Sequence, residues 1–571
     1  IFEADVEKLK SLGVEHYKIE KLQKFISTVP DDNFTSLQWS ISKTNLDALW
    51  DSKTDCGEVV ISVVDTGVDY NHSDLKNNIF INQGETCNNL KDDDNNSKID
   101  DCFGWNFVGN NNSPMDDNGH GTHVAGIIAA EGNNSIGIAG VCWRAKIMPV
   151  KVLDGNGDGY ESDVASGILY AVKNGASVIN LSLEASFPLP SVYSAINLAE
   201  EKGVIVVIAS GNGSLNVDEK FIYPGAYTKD FDNVINVGNS NKFDNRGYMS
   251  NYGSILVDIF APGEGIYSTW KGDDYRLETG TSMAAPFISG VVAHFLKSYG
   301  KKDPLFIKGS IIKSVDELYS LDGLTISGGR INPIKILSLD KRPAILKIFP
   351  ESYPANNFKP VLNEDIEVEG LLEDVQGVYA NNTSIPFQQI DNTTLQITTP
   401  FIEGGFKLRA ENSHGSSNVA KITPISYKVK ANDAYYSFTS WVKIIGLSDT
   451  PLNGYRTYGK GINFSIASST STITLKIDKS TPFNGECIVK DQYGDILEME
   501  KVDNETCQIT NISTTKNYTF YEGYETGSNG GGGGCSLSLN TKSRNFDMFF
   551  LLLGLIMVAR VVRKRRYYLR G

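Results

Sequence analysis

Three side chains of the types needed for nucleophilic catalysis stand in three separate short motifs. Asp65 ends the apolar run VVISVV and opens DTG, His120 lies in NGHGTHVAG, and Ser282 lies in GTSMAAP ahead of the apolar helical stretch FISGVVAHFL. A serine hydroxyl is a weak nucleophile until a base takes its proton, and an imidazole does this best when a carboxylate fixes its tautomer and stabilises its charged form. Asp-Thr-Gly alone is also ordinary turn chemistry, and a lone buried His or Ser is more often structural. What carries weight is all three together, in the order Asp, His, Ser, each inside an extended motif.

These motifs need a scaffold that brings strand ends and helix starts together. From about residue 35 to 340, apolar runs such as IMPVKV, SVINLSL and VIVVIAS alternate with helical stretches such as ESDVASGILYAVKNG and SVYSAINLAEEKG. This predicts successive βαβ units, hence an α/β fold with a central parallel sheet, whose ligands bind at the carboxyl ends of the strands. Asp65, His120 and Ser282 fall at such positions. The expected catalytic domain spans 31–342. Residues 1–30, with VEKLKSLGVEHYKIEKL, read as a short helix and strand left over from a prodomain. Beyond Pro343 the helix signals vanish, and alternating strands between Asn, Gly and Pro turns predict two all-β sandwich-like modules, 343–428 and 429–525. A Gly-rich linker with Cys535 (526–547) and an apolar segment with a basic tail (548–571) complete the chain.

The motifs around Asp65, His120 and Ser282 resemble the subtilase family of serine proteases, which implies a three-layer subtilisin-like fold and endopeptidase activity on protein and peptide substrates. In the family pattern HGTHVAG the first His is the base, so His123 is read as structural. The resemblance assigns Asn212, in ASGNGS, as the oxyanion donor beside the Ser282 amide. It makes Ser182, Leu183 and Glu184 one edge for an extended peptide and Gly157, Asp158 and Gly159 the other. Glu184 stands where the family usually has Gly, and Ile222 occupies the floor of the primary specificity pocket where Gly is common, so bulky P1 side chains are expected to fit poorly. The resemblance also implies structural Ca²⁺, held by Asp74, the Asn134 side chain and the Ile136 and Ile138 carbonyls.

Other acidic segments suggest metal on their own composition. DDDNNSKIDD carries Asp92, Asp94, Asn96 and Asp101 at spacings close to an oxygen-ligand loop, with Ser97 where Gly usually makes the sharp turn; a solvated acidic loop is the alternative. DGNGDGYESD from Asp154 also looks like a calcium loop, but its match to the peptide edge takes precedence. The net charge of −15 disfavours nucleic acid as a partner. Seven cysteines suggest local pairs Cys87–Cys102 and Cys487–Cys507, a third pair Cys56–Cys142, and Cys535 left over, which fits an oxidising, extracytoplasmic compartment. The apolar run Met548–Met557 with its continuation around Arg560 is shorter than the roughly 20 residues a spanning helix needs. Together with the Gly-Cys linker and RKRRYYLR it resembles the C-terminal sorting signals of bacterial envelope proteins. That resemblance implies a sorting protease and the membrane as partners, with a permanent single-span anchor as the alternative; a eukaryotic single-pass protein, glycosylated at NNT, NET and NYT, is a further possibility. The first β-module resembles immunoglobulin-like domains of the IPT/TIG kind. A rival from another class is a surface adhesin carrying a degenerate protease domain.

Overall fold

The computed structural model describes residues 28–350 apart from Glu219, 364–399 and 406–422, and beyond these only the backbone of short strands between 429 and 536. The expected elements of the first 27 residues, the Cys487–Cys507 pair and the apolar run with its basic tail lie outside the described residues.

The apolar runs form the strands. They are β1 (Val60–Asp65), β2 (Trp105–Asn106), β3 (Lys146–Lys151), β4 (Val178–Leu181), the two-residue β5 (Leu183–Glu184) just after it, β6 (Ile205–Ala209), β7 (Val234–Ser240) and β8 (Ile259–Pro262). A hairpin, β9 (Ile266–Trp270) and β10 (Asp274–Glu278), and two short strands, β11 (Val315–Glu317) and β12 (Gly329–Ile331), follow. Nine of these make one sheet in the order β11-β12-β8-β7-β6-β4-β1-β3-β2. Every neighbouring pair in it is parallel except β11 with β12.

Side chains alternate strictly across the sheet, as a period of two requires. Ile61, Val63, Val178, Ile205 and Val207 enter one core, whereas Val64, Ile179, Leu181, Val206 and Ile208 enter the other. The first core is covered by α1 (His120–Ala129); the second is covered by α2 (Glu161–Lys173) and α3 (Pro190–Glu201). The long α4 (Thr281–Tyr299), with every residue from Thr281 to Leu296 buried, joins α1 on the first face. This is the three-layer α/β architecture expected. The chain passes from β1 to β3 on one side and then to β4 on the other, so the order reverses between β1 and β4. In open α/β sheets the crevice at such a reversal is where ligands bind, and Asp65 and Ser182 stand at its two strand ends.

After Pro343 the backbone is all β. One antiparallel sheet takes Ala344–Pro350, Glu364–Leu371, Thr394–Thr399 and Phe387–Gln389; another is built on Gly377–Ala380 and Phe406–Asn412. This unit abuts the catalytic domain away from the crevice, through Lys347 paired with Asp232, Lys407 with Asp322, and the Asn418 amide donating to the Ile326 carbonyl. Between 429 and 522 the described backbone is again antiparallel strands. Among the described residues no helix is long and apolar enough to cross a membrane.

Candidate active site

The Asp65 carboxylate is fully buried at the end of β1, and its Oδ1 lies 2.8 Å from His120 Nδ1. The same oxygen accepts the Thr66 N–H at 2.7 Å. A carboxylate at Nδ1 keeps the imidazole proton there and makes Nε2 the basic nitrogen. His120 is the first residue of α1, and two glycines let it sit there. Gly119 has φ +118°, and a Cβ on it would meet the Trp270 ring at 2.2 Å; a Cβ on Gly121 would run into the Gly67 carbonyl oxygen at 2.0 Å. Asp116, not anticipated from sequence, closes this corner. Its carboxylate accepts from Thr66 Oγ1, the Gly119 and Thr122 amides and Thr122 Oγ1, at 2.6 to 2.9 Å. The negative charge therefore sits where the unpaired N–H groups of a helix start favour it. His123, one turn on, is fully buried, bonds the Ile266 and Arg276 carbonyls through Nε2, and is pushed down to about 3 by burial. A proton acceptor held that low takes no part in chemistry near neutrality, in keeping with its structural assignment.

Ser282 is the second residue of α4, and its position follows from a proline. Pro286 has no N–H, so the Ser282 carbonyl loses its helical donor four residues on. The Ser182 hydroxyl fills the gap, donating to Ser282 O at 2.9 Å, while Ser282 Oγ faces the Ser182 carbonyl at 3.4 Å. Ser182 Oγ in turn accepts from Asn180 Nδ2 at 2.9 Å, and Asn180 Oδ1 accepts from Ser289 Oγ at 3.0 Å. A buried polar chain thus ties the start and third turn of α4 to the end of β4. Asn212, in the loop after β6, is anchored by its oxygen: Oδ1 accepts from the Thr281 N–H at 2.9 Å and Thr281 Oγ1 at 3.2 Å. Its Nδ2 makes no hydrogen bond among the described residues, which leaves a donor beside the first turn of α4.

The two expected peptide edges differ in make-up. Gly157–Gly159 sits in a tight loop after β3, with Leu153 and Gly159 bridged and the Asp154 carboxylate accepting the Asn156 and Asp158 amides. Ser182, Leu183 and Glu184, expected as the other edge, lie at β5, where the backbone of Cys535–Ser536 pairs in parallel with Leu183 and Glu184. Ala185 exchanges both backbone hydrogen bonds with Tyr223, which brings Ile222 to the foot of this edge. Glu184 does not project away: its Oε2 accepts the Asn212 N–H at 3.1 Å, and burial raises its pKa.

Both expected metal loops bring carboxylate and amide side chains together. Asp74 is fully buried; Asn134 Nδ2 donates to its Oδ1, and the Ile138 N–H and Tyr275 hydroxyl donate to its Oδ2. Ile136 adjoins through its N–H on Asn134 Oδ1. Asp32, missed in the sequence, joins them by accepting the Asn133 and Asn134 amides. Burial raises the Asp74 carboxyl to about 7, its hydrogen bonds oppose the rise, and Asp32 nearby adds to it. In the second loop one carboxylate oxygen each from Glu85, Asp92 and Asp94 lies within 4.8 Å of the others. Glu85 Oε2 and Asn96 Oδ1 are buried there without a hydrogen-bond partner, and Asp101 adjoins through Asn96 Nδ2. Glu85 is the member that sequence spacing did not reveal. Ser97 makes the sharp turn that Gly would, at φ +70°. Two of the expected disulfides are present, Cys56–Cys142 and Cys87–Cys102, the latter closing this acidic loop.

Comparison with known proteins agrees with this geometry. The subtilase family model (peptidase S8) matches residues 57–329. Thermitase of Thermoactinomyces vulgaris is 38% identical over 308 residues, covering 54% of this chain and 98% of thermitase. A thermophilic serine proteinase of Bacillus sp. (strain AK1) is 38% identical over 305 residues, 53% of this chain and 68% of that protein. Subtilisin-like protease 1 of Plasmodium falciparum is 36% identical over 284 residues, 46% of this chain and 41% of that one. No observation favours a degenerate domain, since Asp65, His120, Asn212 and Ser282 all carry the residue types the reaction needs. The chain belongs to the subtilase family, and its 57–329 region is a subtilisin-like serine endopeptidase domain.

Proposed function

We propose that peptide bonds are cleaved at the crevice between β1 and β4 through Ser282, His120 and Asp65. The observation that carries this is the 2.8 Å Asp65–His120 contact at one strand end, opposite a Ser282 fixed by Ser182 at the other. His120 Nε2 takes the Ser282 proton as Oγ attacks the carbonyl, and Asp65 steadies the imidazolium. Asn212 Nδ2 and the Ser282 N–H stabilise the oxyanion. The leaving amine takes the proton from His120, and water then repeats the route to release the acyl group. Substrate lies as an added strand between β5 and Gly157–Gly159, which selects unfolded or loop segments. P1 side chains of wide cross-section, such as Phe or Tyr, fit poorly over Ile222, and a preference for either contradicts this.

Calcium is structural. Asp74, Asn134, Ile136, Ile138 and Asp32 hold one ion, and Glu85, Asp92, Asp94, Asn96 and Asp101 hold a second; hard oxygen donors of this mixture suit Ca²⁺. The Cys56–Cys142 and Cys87–Cys102 disulfides support action outside the cytoplasm. The tail from 526 onward acts as a sorting or anchoring signal at the membrane, read by a sorting protease, and the β-modules space or present the catalytic domain. Digestion of a proteome-derived peptide library by wild type and Ser282→Ala, with and without a calcium chelator, tests these assignments. Cleavage only by wild type, weakened by the chelator, is expected; equal cleavage by Ser282→Ala refutes the mechanism.

A further inference from the structure

Glu184 is a departure that the general reaction does not use. It leaves the peptide edge at β5, crosses to the loop after β6, and sets its Oε2 on the Asn212 N–H at 3.1 Å. A Cβ on Gly211 would meet that oxygen at 2.1 Å, Asn251 Nδ2 at 2.4 Å and Ile222 Cγ2 at 3.2 Å, so the carboxylate, the Asn251 amide and the Ile222 side chain all gather at Gly211. Two walls and a floor therefore converge on it: β5, the 211–213 loop, and Ile222, drawn in by the Ala185–Tyr223 pairing. The same loop supplies Asn212, proposed above for the oxyanion, so Glu184 stands one hydrogen bond from that residue. Among the described residues no Lys, Arg or His pairs with Glu184, and its Oε1 has no hydrogen-bond partner. Glu184 is only partly buried, and with one amide on Oε2 its carboxylate keeps acceptor capacity for a cation that comes alongside.

We propose that Glu184 is a specificity-determining residue that makes the P1 recess a cation site, selecting substrates with Lys or Arg before the cleaved bond. The inference rests on the protease assignment above and names the substrate class of that same site. Ile222 narrows the recess against a flat aromatic ring, whereas an unbranched lysine chain is thin and carries its charge at the tip. The carboxyl, raised by burial when alone, is held ionised by the incoming cation. Discrimination then takes the form of a buried charge left unpaired by the wrong substrate.

The test uses the full chain and a set of fluorogenic peptides identical except at P1, carrying Lys, Arg, Ala, Phe or Glu. Wild type should cleave Lys and Arg peptides with kcat/KM at least about tenfold above Ala, and Glu peptides least. Glu184→Gln keeps an acceptor for the Asn212 N–H but removes the charge, so the Lys-to-Ala ratio should fall to within about threefold of unity. The Lys-to-Ala ratio of wild type should also rise with pH as Glu184 ionises, and that slope should vanish in Glu184→Gln. A wild-type preference for Ala or Phe, or a Lys-to-Ala ratio that Glu184→Gln leaves unchanged, overturns the proposal. Covalent titration of Ser282 separates the two failures: a protein that titrates fully but ignores P1 charge refutes the cation site alone, and one that does not titrate refutes the protease assignment beneath it.

Discussion

Replacing Ser182 by Ala removes a hydroxyl that no helix bond can substitute, because Pro286 denies the Ser282 carbonyl its donor. Two buried groups lose a partner, the Ser282 C=O and the Asn180 amide, at about 1–3 kcal/mol each before relaxation. The nucleophile's own backbone is one of them, so part of that cost should reach the transition state. If roughly 1.4–2.7 kcal/mol of it does, kcat falls about 10- to 100-fold. Active-site titration followed by steady-state kinetics measures this per competent enzyme, and thermal unfolding records the stability loss alongside. The revealing variant is Pro286→Ala, which restores an N–H four residues beyond Ser282. In the Ser182→Ala background it should recover at least about 1 kcal/mol, an interaction well above the few tenths expected of independent sites. Strict additivity of the two substitutions, or a Ser182→Ala enzyme with wild-type kcat and Tm, refutes the idea that the proline and the serine form one device.

Other outcomes follow from the same geometry. Asp116→Ala should lose about 3 kcal/mol or more, since several buried donors at the start of α1 go unpaired, read as a lower denaturation midpoint with unchanged slope. A calcium chelator should lower Tm, and Asp74→Ala and Asp92→Ala should each remove part of that response; calcium at a hundred times its Kd adds about 2.7 kcal/mol per site, and a Tm indifferent to calcium rules both sites out. His294, buried with Nε2–H on the Val141 carbonyl, is depressed to about 4. A depressed histidine contributes stability that is present above its ordinary value near 6.5 and lost as pH falls toward 4, by up to about 3 kcal/mol. His294→Gln should flatten the stability profile across that window, and an unchanged profile contradicts the assignment.

Much of the site was legible because its signals are local. DTG, HGTHVAG and GTSMAAP each hold one side chain of the proposed triad together with the small residues that shape its surroundings, and apolar runs of strand length marked the parallel sheet. What escaped is long-range. Asp116 looked like one more acid in a polar stretch, and only folding brings it over Thr66 and the start of α1. Asp32 stands far in sequence from the Asn134 loop it joins, and Glu85 lies just ahead of the acidic run, outside the stretch whose spacing was read, so spacing inside those loops gave no hint of either. Pro286 and Ser182 are separated by 104 positions, and their partnership depends on β4 lying against α4. Glu184 was noticed as a departure from glycine, yet its direction, across the recess to Asn212, is a fact of tertiary packing. That β structure follows Pro343 was visible in the loss of helical periodicity there, whereas the contacts of Lys347 with Asp232 and of Asn418 with Ile326 were not.

The central claim is that Ser282, primed by His120 and Asp65, is the nucleophile. Treating the native full-length chain with a fluorophosphonate and mapping the adduct by mass spectrometry tests it most directly. One phosphonyl group per molecule, on Ser282, with labelling slowed at least about a hundredfold in His120→Ala, is the expected result. Labelling on any other residue, or a Ser282 that reacts equally fast without the histidine, contradicts the account.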